Sequence, residues 1–209
     1  MYGRDMLRTS GSACLCFLIV CGMAFAQQHR SSTRSTSADT SFALLRSKID
    51  VERVGTPTMN SIAGHYSSSP EELRKRVVPL GGDDLYLFPD GSYLFLWWSD
   101  IPPTTIRDKG KWAVSGSEIT LTSDPDIKWK PGAERHYLMI HRSAHADEIL
   151  VVGTDSDSRY FEKNAKEDPE FMLLLVSKAR INEITEKDTN ELKKKLMREA
   201  WRPEFYKSE

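Results

Sequence analysis

The stretch LYLFPDGSYLFLWW, residues 85–98, is two runs of strand-forming residues joined by Pro89-Asp90-Gly91, a pattern that predicts a β-hairpin. Along its second arm Tyr93, Phe95 and Trp97 point to one side of the strand, and Leu94, Leu96 and Trp98 to the other. Both faces are apolar, whereas a half-solvated antiparallel strand alternates apolar with polar. One face therefore enters the main core, and the other needs a helix, a second sheet, a partner or a ligand over it. Tyr93, Phe95, Trp97 and Trp98 are on these grounds the candidate ligand-binding residues. Trp97 and Trp98 cannot share a face, so one of them is expected in the core.

The same alternation recurs downstream. Gly110–Val114 and Glu118–Thr122 flank Ser115-Gly116-Ser117, with Trp112 and Val114 facing Ile119 and Leu121, and Lys111, Ala113, Glu118 and Thr120 turned to water. A third pair, HYLMIHR and EILVVGT, brackets a polar turn over Ser143 to Asp147, and Arg159-Tyr160-Phe161 reads as a further short strand. Short strands at regular spacing with turn residues between them predict a mainly β fold, an antiparallel barrel or sandwich over residues 62–184. FMLLLV, residues 171–176, follows a helix-start signal at Asp168-Pro169-Glu170 and its leucines and methionine favour helix, but it is short, and a closing strand is the preferred reading with a helix as the alternative.

Helical periodicity is confined to the flanks and one polar turn. Leu192, Leu196, Met197 and Ala200 form one stripe behind Thr185, predicting a C-terminal α-helix in the segment 185–209, stopped by Pro203. Its stripe is a candidate cover for the second face of the central hairpin. Phe42, Leu45 and Ile49 recur at helical spacing behind Ser41, a candidate N-cap, and predict a short helix and connector over 42–61. Ser69, Pro70, Glu71 and Glu72 read as the capped start of a single helical turn.

Residues 1–26 read as a signal peptide. Arg4 and Arg8 precede an apolar run from Ala13 to Phe25 that is too short to span a bilayer, and Ala24-Phe25-Ala26 has the small-x-small form of a cleavage site. The expectation is export to the periplasm or beyond, with Gln27 as the new amino terminus and no integral membrane span after cleavage. Val20, before Cys21, is too bulky for a lipobox. Cys14, Cys16 and Cys21 all fall inside the signal, so the exported part has no thiol with which to build a disulfide, a nucleophile or a metal site. Residues 27–41 are rich in serine and threonine and read as a disordered linker.

Without residues 1–26 the chain has 27 basic and 29 acidic residues, a net charge of −2, which gives no field for nucleic acid. There is no Gly-x-Ser-x-Gly elbow, phosphate-binding glycine loop or His-Glu-x-x-His. His136, His141 and His145 with Asp147 and Glu148 are the best metal candidates, but on one strand the first two histidines face opposite ways. Asp83, Asp84 and Asp90 offer paired carboxylates, two of them flanking hairpin turns where aspartate is expected for backbone reasons. The reading assigns no catalytic residue, metal or cofactor.

Gly64-His65-Tyr66 ahead of a meander, then LYLFPDGSY and GKWAVSGSEITLT, resembles the small lipocalin-like barrels of exported bacterial proteins. The resemblance covers roughly residues 62–176 and departs from true lipocalins at Tyr66, where those place a tryptophan. It implies a barrel whose interior holds a small apolar molecule, bound without catalysis. The alternative is an envelope module that docks on another protein through the aromatic sheet face or the C-terminal helix.

Overall fold

The computed structural model describes residues 37–101, 104–126, 132–154 and 156–200. The central hairpin forms as its pattern predicts. Strand β3 (Gly81–Leu87) pairs antiparallel with β4 (Ser92–Ser99). In the turn Asp90 Oδ1 accepts the Ser92 N–H at 3.0 Å, and Gly91 takes φ +76°, a left-handed conformation that a residue with a Cβ adopts only at a cost.

Around this hairpin the remaining strands are β1 (Val51–Arg53), β2 (Gly64–Ser67), β5 (Thr105–Ser115), β6 (Glu118–Ser123), β7 (Glu134–Arg142), β8 (His145–Gly153) and β9 (Ser177–Glu183). The ring β2-β3-β4-β5-β6-β7-β8-β9 closes because β9 pairs with both β8 and β2, giving an eight-stranded antiparallel barrel of the general lipocalin-like kind. The ninth strand, β1, lies along Ile140–Arg142 of β7, beyond the point where β6 stops at Leu138. The described residues from Ala38 to Ala200 belong to one unit.

The helices are α1 (residues 37–46), α2 (Met59–Ile62), α3 (Glu71–Arg74), α4 (Ser156–Asn164), α5 (Pro169–Val176) and α6 (Glu186–Glu199). Several depart from expectation. FMLLLV is α5, not a strand: Asp168 caps it by accepting the Phe171 N–H at 2.8 Å, Pro169 stands at its start, and the closing strand β9 follows at Ser177. Arg159-Tyr160-Phe161 lies in α4, where Phe161 is fully buried. The segment read as linker is helical from residue 37, and Ser41 is a buried helical residue whose hydroxyl donates to the Thr154 carbonyl at 2.8 Å, not an N-cap. β1 lies within the expected connector. The cap position of α3 falls on Pro70 instead of Ser69, and the β7–β8 turn is only Ser143-Ala144. The stop at Pro203 and the signal sequence lie outside the described residues.

Three apolar clusters follow from the strand alternation. Inside the barrel Tyr66, Leu85, Leu87, Tyr93, Phe95, Trp112 and Met139 pack on one another with neighbours from β6, β7 and β8. On the outer wall Leu138, Ile140, Leu150 and Val152 carry Leu45 of α1, Phe161 of α4 and Leu173 of α5. A second outer cluster, Phe88, Leu94, Leu96 and Ile106, lies under Leu192, Leu196, Met197 and Ala200. The C-terminal helix thus covers the second face of the central hairpin, as its stripe predicts. Among the described residues no helix is long and apolar enough to cross a membrane.

Candidate functional site on the outer wall

Between the two helix-covered parts of the outer wall runs a polar strip built by β2, β3 and β4. Register sets it: His65 stands opposite Tyr86, Ser67 opposite Asp84, and Gly82 opposite Trp98. The strip floors a groove of about 1180 Å³. Glu71, Glu72 and Arg74 of α3 form one bank, and His145, Asp147 and Glu148 of β8 with Arg180 and Ile181 of β9 line it as well. Gly82 makes room for the indole of Trp98, since a Cβ there would come within 2.7 Å of the ring.

His65 is the best-positioned group on the floor. Its ring stacks on Tyr86 with centroids 4.3 Å apart and planes 2° from parallel, which fixes its orientation. Its Nε2 lies 3.3 Å from Asp84 Oδ1. The two atoms are close enough to interact as charges, yet their geometry is not that of a hydrogen bond, and each is shielded from solvent with no hydrogen-bond partner. Burial, with the Asp84 carboxylate adding to it, pushes the Tyr86 hydroxyl up to about 12, so the phenol keeps its proton at neutral pH.

The serines and arginines of the groove are already engaged. Ser67 Oγ accepts the Ser69 N–H at 3.2 Å, and Ser69 Oγ accepts from Arg74 Nε at 3.2 Å. Arg142 bonds Glu148 and, through Nε at 2.9 Å, Glu170. Arg180 donates to the Ser61 carbonyl at 2.7 Å. What the floor offers is a fixed imidazole, a carboxylate and an indole, a set suited to recognition.

The residues singled out from the sequence divide among three places. Tyr93 and Phe95 belong to the barrel interior, where the Tyr93 hydroxyl donates to Asp108 Oδ2 at 2.8 Å. Trp97 stands at the end of the barrel, 36% exposed, with the Arg107 guanidinium 5.0 Å from its ring centroid. Only Trp98 reaches the groove. The expectation that Trp97 or Trp98 is a core residue fails, because both lie near the end of β4, past the register shift between Phe95 and Leu96, where no further layer of side chains covers them. The core tryptophan is Trp112, whose Nε1 donates to the Phe88 carbonyl at 2.8 Å.

Of the three histidines, His136 contacts Thr120 Oγ1 at 3.2 Å, His141 contacts the Arg142 carbonyl at 3.0 Å, and His145 lines the groove. Among the described residues no three metal-ligating side chains converge. Asp83 and Asp84 are strand residues of β3, not turn residues, and as strand neighbours they face opposite sides of the wall. Sequence reasoning missed the charges inside the barrel. Asp108 shares the strand parity of Trp112, a signal that was readable, whereas Lys178 follows a run assigned to the wrong element.

No family profile matches the chain, and comparison with curated proteins and with solved structures finds no match.

Proposed function

We propose that the chain is an exported, lipocalin-like binding barrel that acts without catalysis and holds its ligand in the outer-wall groove. The observation that carries this reading is the pair His65 Nε2 and Asp84 Oδ1, two polar atoms shielded from solvent without hydrogen bonds on the floor of a large groove. The two atoms face each other at 3.3 Å out of line for a hydrogen bond, so they interact as charges alone, and a ligand group that bonded to either would add a hydrogen bond worth roughly 0.5–1.5 kcal/mol. Trp98 beside them supplies a flat apolar face. The ligand that suits this floor is a polar molecule with one flat face. A small apolar molecule in the barrel has less support, since large side chains fill the interior. Docking through the C-terminal helix loses support too, because the helix turns its apolar stripe onto the barrel. Export rests on the sequence of residues 1–26, and the intact mass of the mature protein tests it, with Gln27 expected as the first residue.

Native mass spectrometry of the protein purified from its own host tests the groove. The expected result is a retained small molecule that is lost from Trp98→Ala and from His65→Leu while both variants remain folded. A ligand retained equally by both variants, or an unliganded wild-type chain in every preparation, would remove the proposal.

A further inference from the structure

The charge of the outer-wall groove narrows what it can hold. Among the described residues its lining carries five carboxylates against three guanidinium groups. Two of those guanidinium groups are already committed: Arg142 bonds Glu148 and Glu170, and Arg180 lies 3.4 Å from Glu183. The third, Arg74, donates through Nε to Ser69 Oγ. On the acidic side Glu71 has Lys75 at 3.2 Å, and Asp84 faces only His65. Glu72 and Asp147 are exposed on the lining and have no cation within ion-pair distance among the described residues. Negative charge is therefore left over, and it disfavours an anionic ligand.

The strand pleat arranges the floor for a flat cation. Gly82, Asp84 and Tyr86 alternate onto the outer face of β3, roughly 7 Å apart. Trp98 lies over Gly82, where an added Cβ would meet its Cζ2 at 2.7 Å and its Cε2 at 3.0 Å. Tyr86 carries the His65 ring stacked on it. A carboxylate thus stands between two aromatic groups. Asp84 Oδ1 is shielded, so the part of the side chain that stays open, 18% of its surface, is on the Oδ2 side, and no described residue donates a hydrogen bond to Oδ2. An ammonium could meet the carboxylate, but a guanidinium also presents a planar face to the indole while its N–H groups donate in the plane.

We propose, with the groove taken as the binding site, that its ligand is a guanidinium-bearing molecule of the arginine type. The guanidinium lies against the Trp98 indole and donates a charge-assisted hydrogen bond to Asp84 Oδ2. Glu72 and Asp147 attract the same charge from farther away. A small arginine derivative and an arginine within a peptide both present this group, and the groove of about 1180 Å³ has room for either.

Titration calorimetry of the full chain with agmatine and with the blocked peptide acetyl-Gly-Arg-Gly-amide tests both the charge and its source. At least one should bind saturably, and the tighter of the two identifies the source. The citrulline peptide, of the same shape without the charge, should bind at least about tenfold more weakly, and the lysine peptide more weakly than the arginine one. Raising the salt from about 0.05 M to about 0.5 M should weaken binding. Asp84→Asn and Trp98→Leu should each weaken it at least about tenfold, and Glu72→Gln combined with Asp147→Asn, at two exposed positions, by about threefold. Should Asp84→Asn or Trp98→Leu fail to fold, the exposed pair and the citrulline peptide still decide. Neither arginine ligand binding at about 10 mM, a citrulline or lysine peptide binding as tightly as the arginine peptide, or undiminished binding by Asp84→Asn would overturn the proposal. The groove is judged separately by the ligand retained from the host. A neutral or anionic molecule lost from Trp98→Ala would keep the groove and overturn the cation, whereas a chain that retains nothing would remove the groove as well.

Discussion

Asp108, with no exposed surface, accepts hydrogen bonds from Tyr93 at 2.8 Å, Ser123 at 2.8 Å and Arg135 at 2.5 Å on one carboxylate oxygen, and from the Lys109 N–H at 2.9 Å on the other. Arg135 in turn lies 4.7 Å from the Phe95 ring centroid. Removing one partner of a buried ion pair leaves the other uncompensated, so Asp108→Ala is expected to cost about 3–5 kcal/mol in urea unfolding, and Asp108→Asn, which retains acceptors, clearly less. A cost for Asp108→Ala no larger than for an exposed aspartate would show that the network does not hold the barrel. The tryptophans make a second comparison at this scale. Trp112→Ala removes a core aromatic and its hydrogen bond, at about 3–5 kcal/mol, while Trp97→Ala, on a partly exposed ring at the barrel end, should cost well under half of that. Equal losses in the two variants would contradict the placement of Trp97. Neither assignment is open to sequence alone: alternation says that Trp97 and Trp98 differ in face, but not that both come after the last covered layer.

Among the elements, α6 shows what amphipathic spacing can and cannot say. The stripe of Leu192, Leu196, Met197 and Ala200 is readable from periodicity, and so is the need of the central hairpin for a cover; that the two meet is a tertiary fact. Lys193 pins the contact by bonding Asp90 in the hairpin turn while its ammonium lies 4.8 Å from the Phe88 ring centroid. Substituting both Leu192 and Leu196 by alanine is expected to cost about 2–3 kcal/mol, less than two core leucines because both are only partly buried. The variant should also bind an apolar dye through the uncovered Leu94 and Leu96. Full stability with no dye binding would mean that α6 is an ornament on the barrel. Helix α5 shows the opposite case. Residues 171–176 are too uniformly apolar for periodicity to decide, and what decides is the cap at Asp168 together with a strand beginning directly at Ser177.

For the molecule as a whole, closure buries phenols along with aliphatic side chains, and this gives the stability a dependence on alkaline pH. Burial holds Tyr66 and Tyr93 well above the ordinary tyrosine range and Tyr86 at about 12. An unfolded tyrosine releases its proton near pH ~10, while these keep theirs, so their contribution is whole below pH ~10 and is lost as the pH climbs toward ~12. Urea midpoints should show no loss from these groups between about pH 7 and 9 and should fall between about pH 10 and 12, with a shallower fall in Tyr86→Phe. A flat profile through that window would contradict the burial of all three phenols. Local sequence was enough to determine the antiparallel strands from β3 to β8, their turns at Asp90-Gly91 and Gly116, the inward set from Tyr93 to Trp112, and the C-terminal stripe, because each depends on contacts between near neighbours or on a period of two or of 3.6. Tertiary structure alone decided the closure of the ring through β9, the helical state of residues 156–164 and 169–176, and the pairing of His65 with Asp84 across two strands. Those features depend on which strand ends first and on which distant segment lies beside it, and such register between separated parts of a chain leaves no period in the sequence.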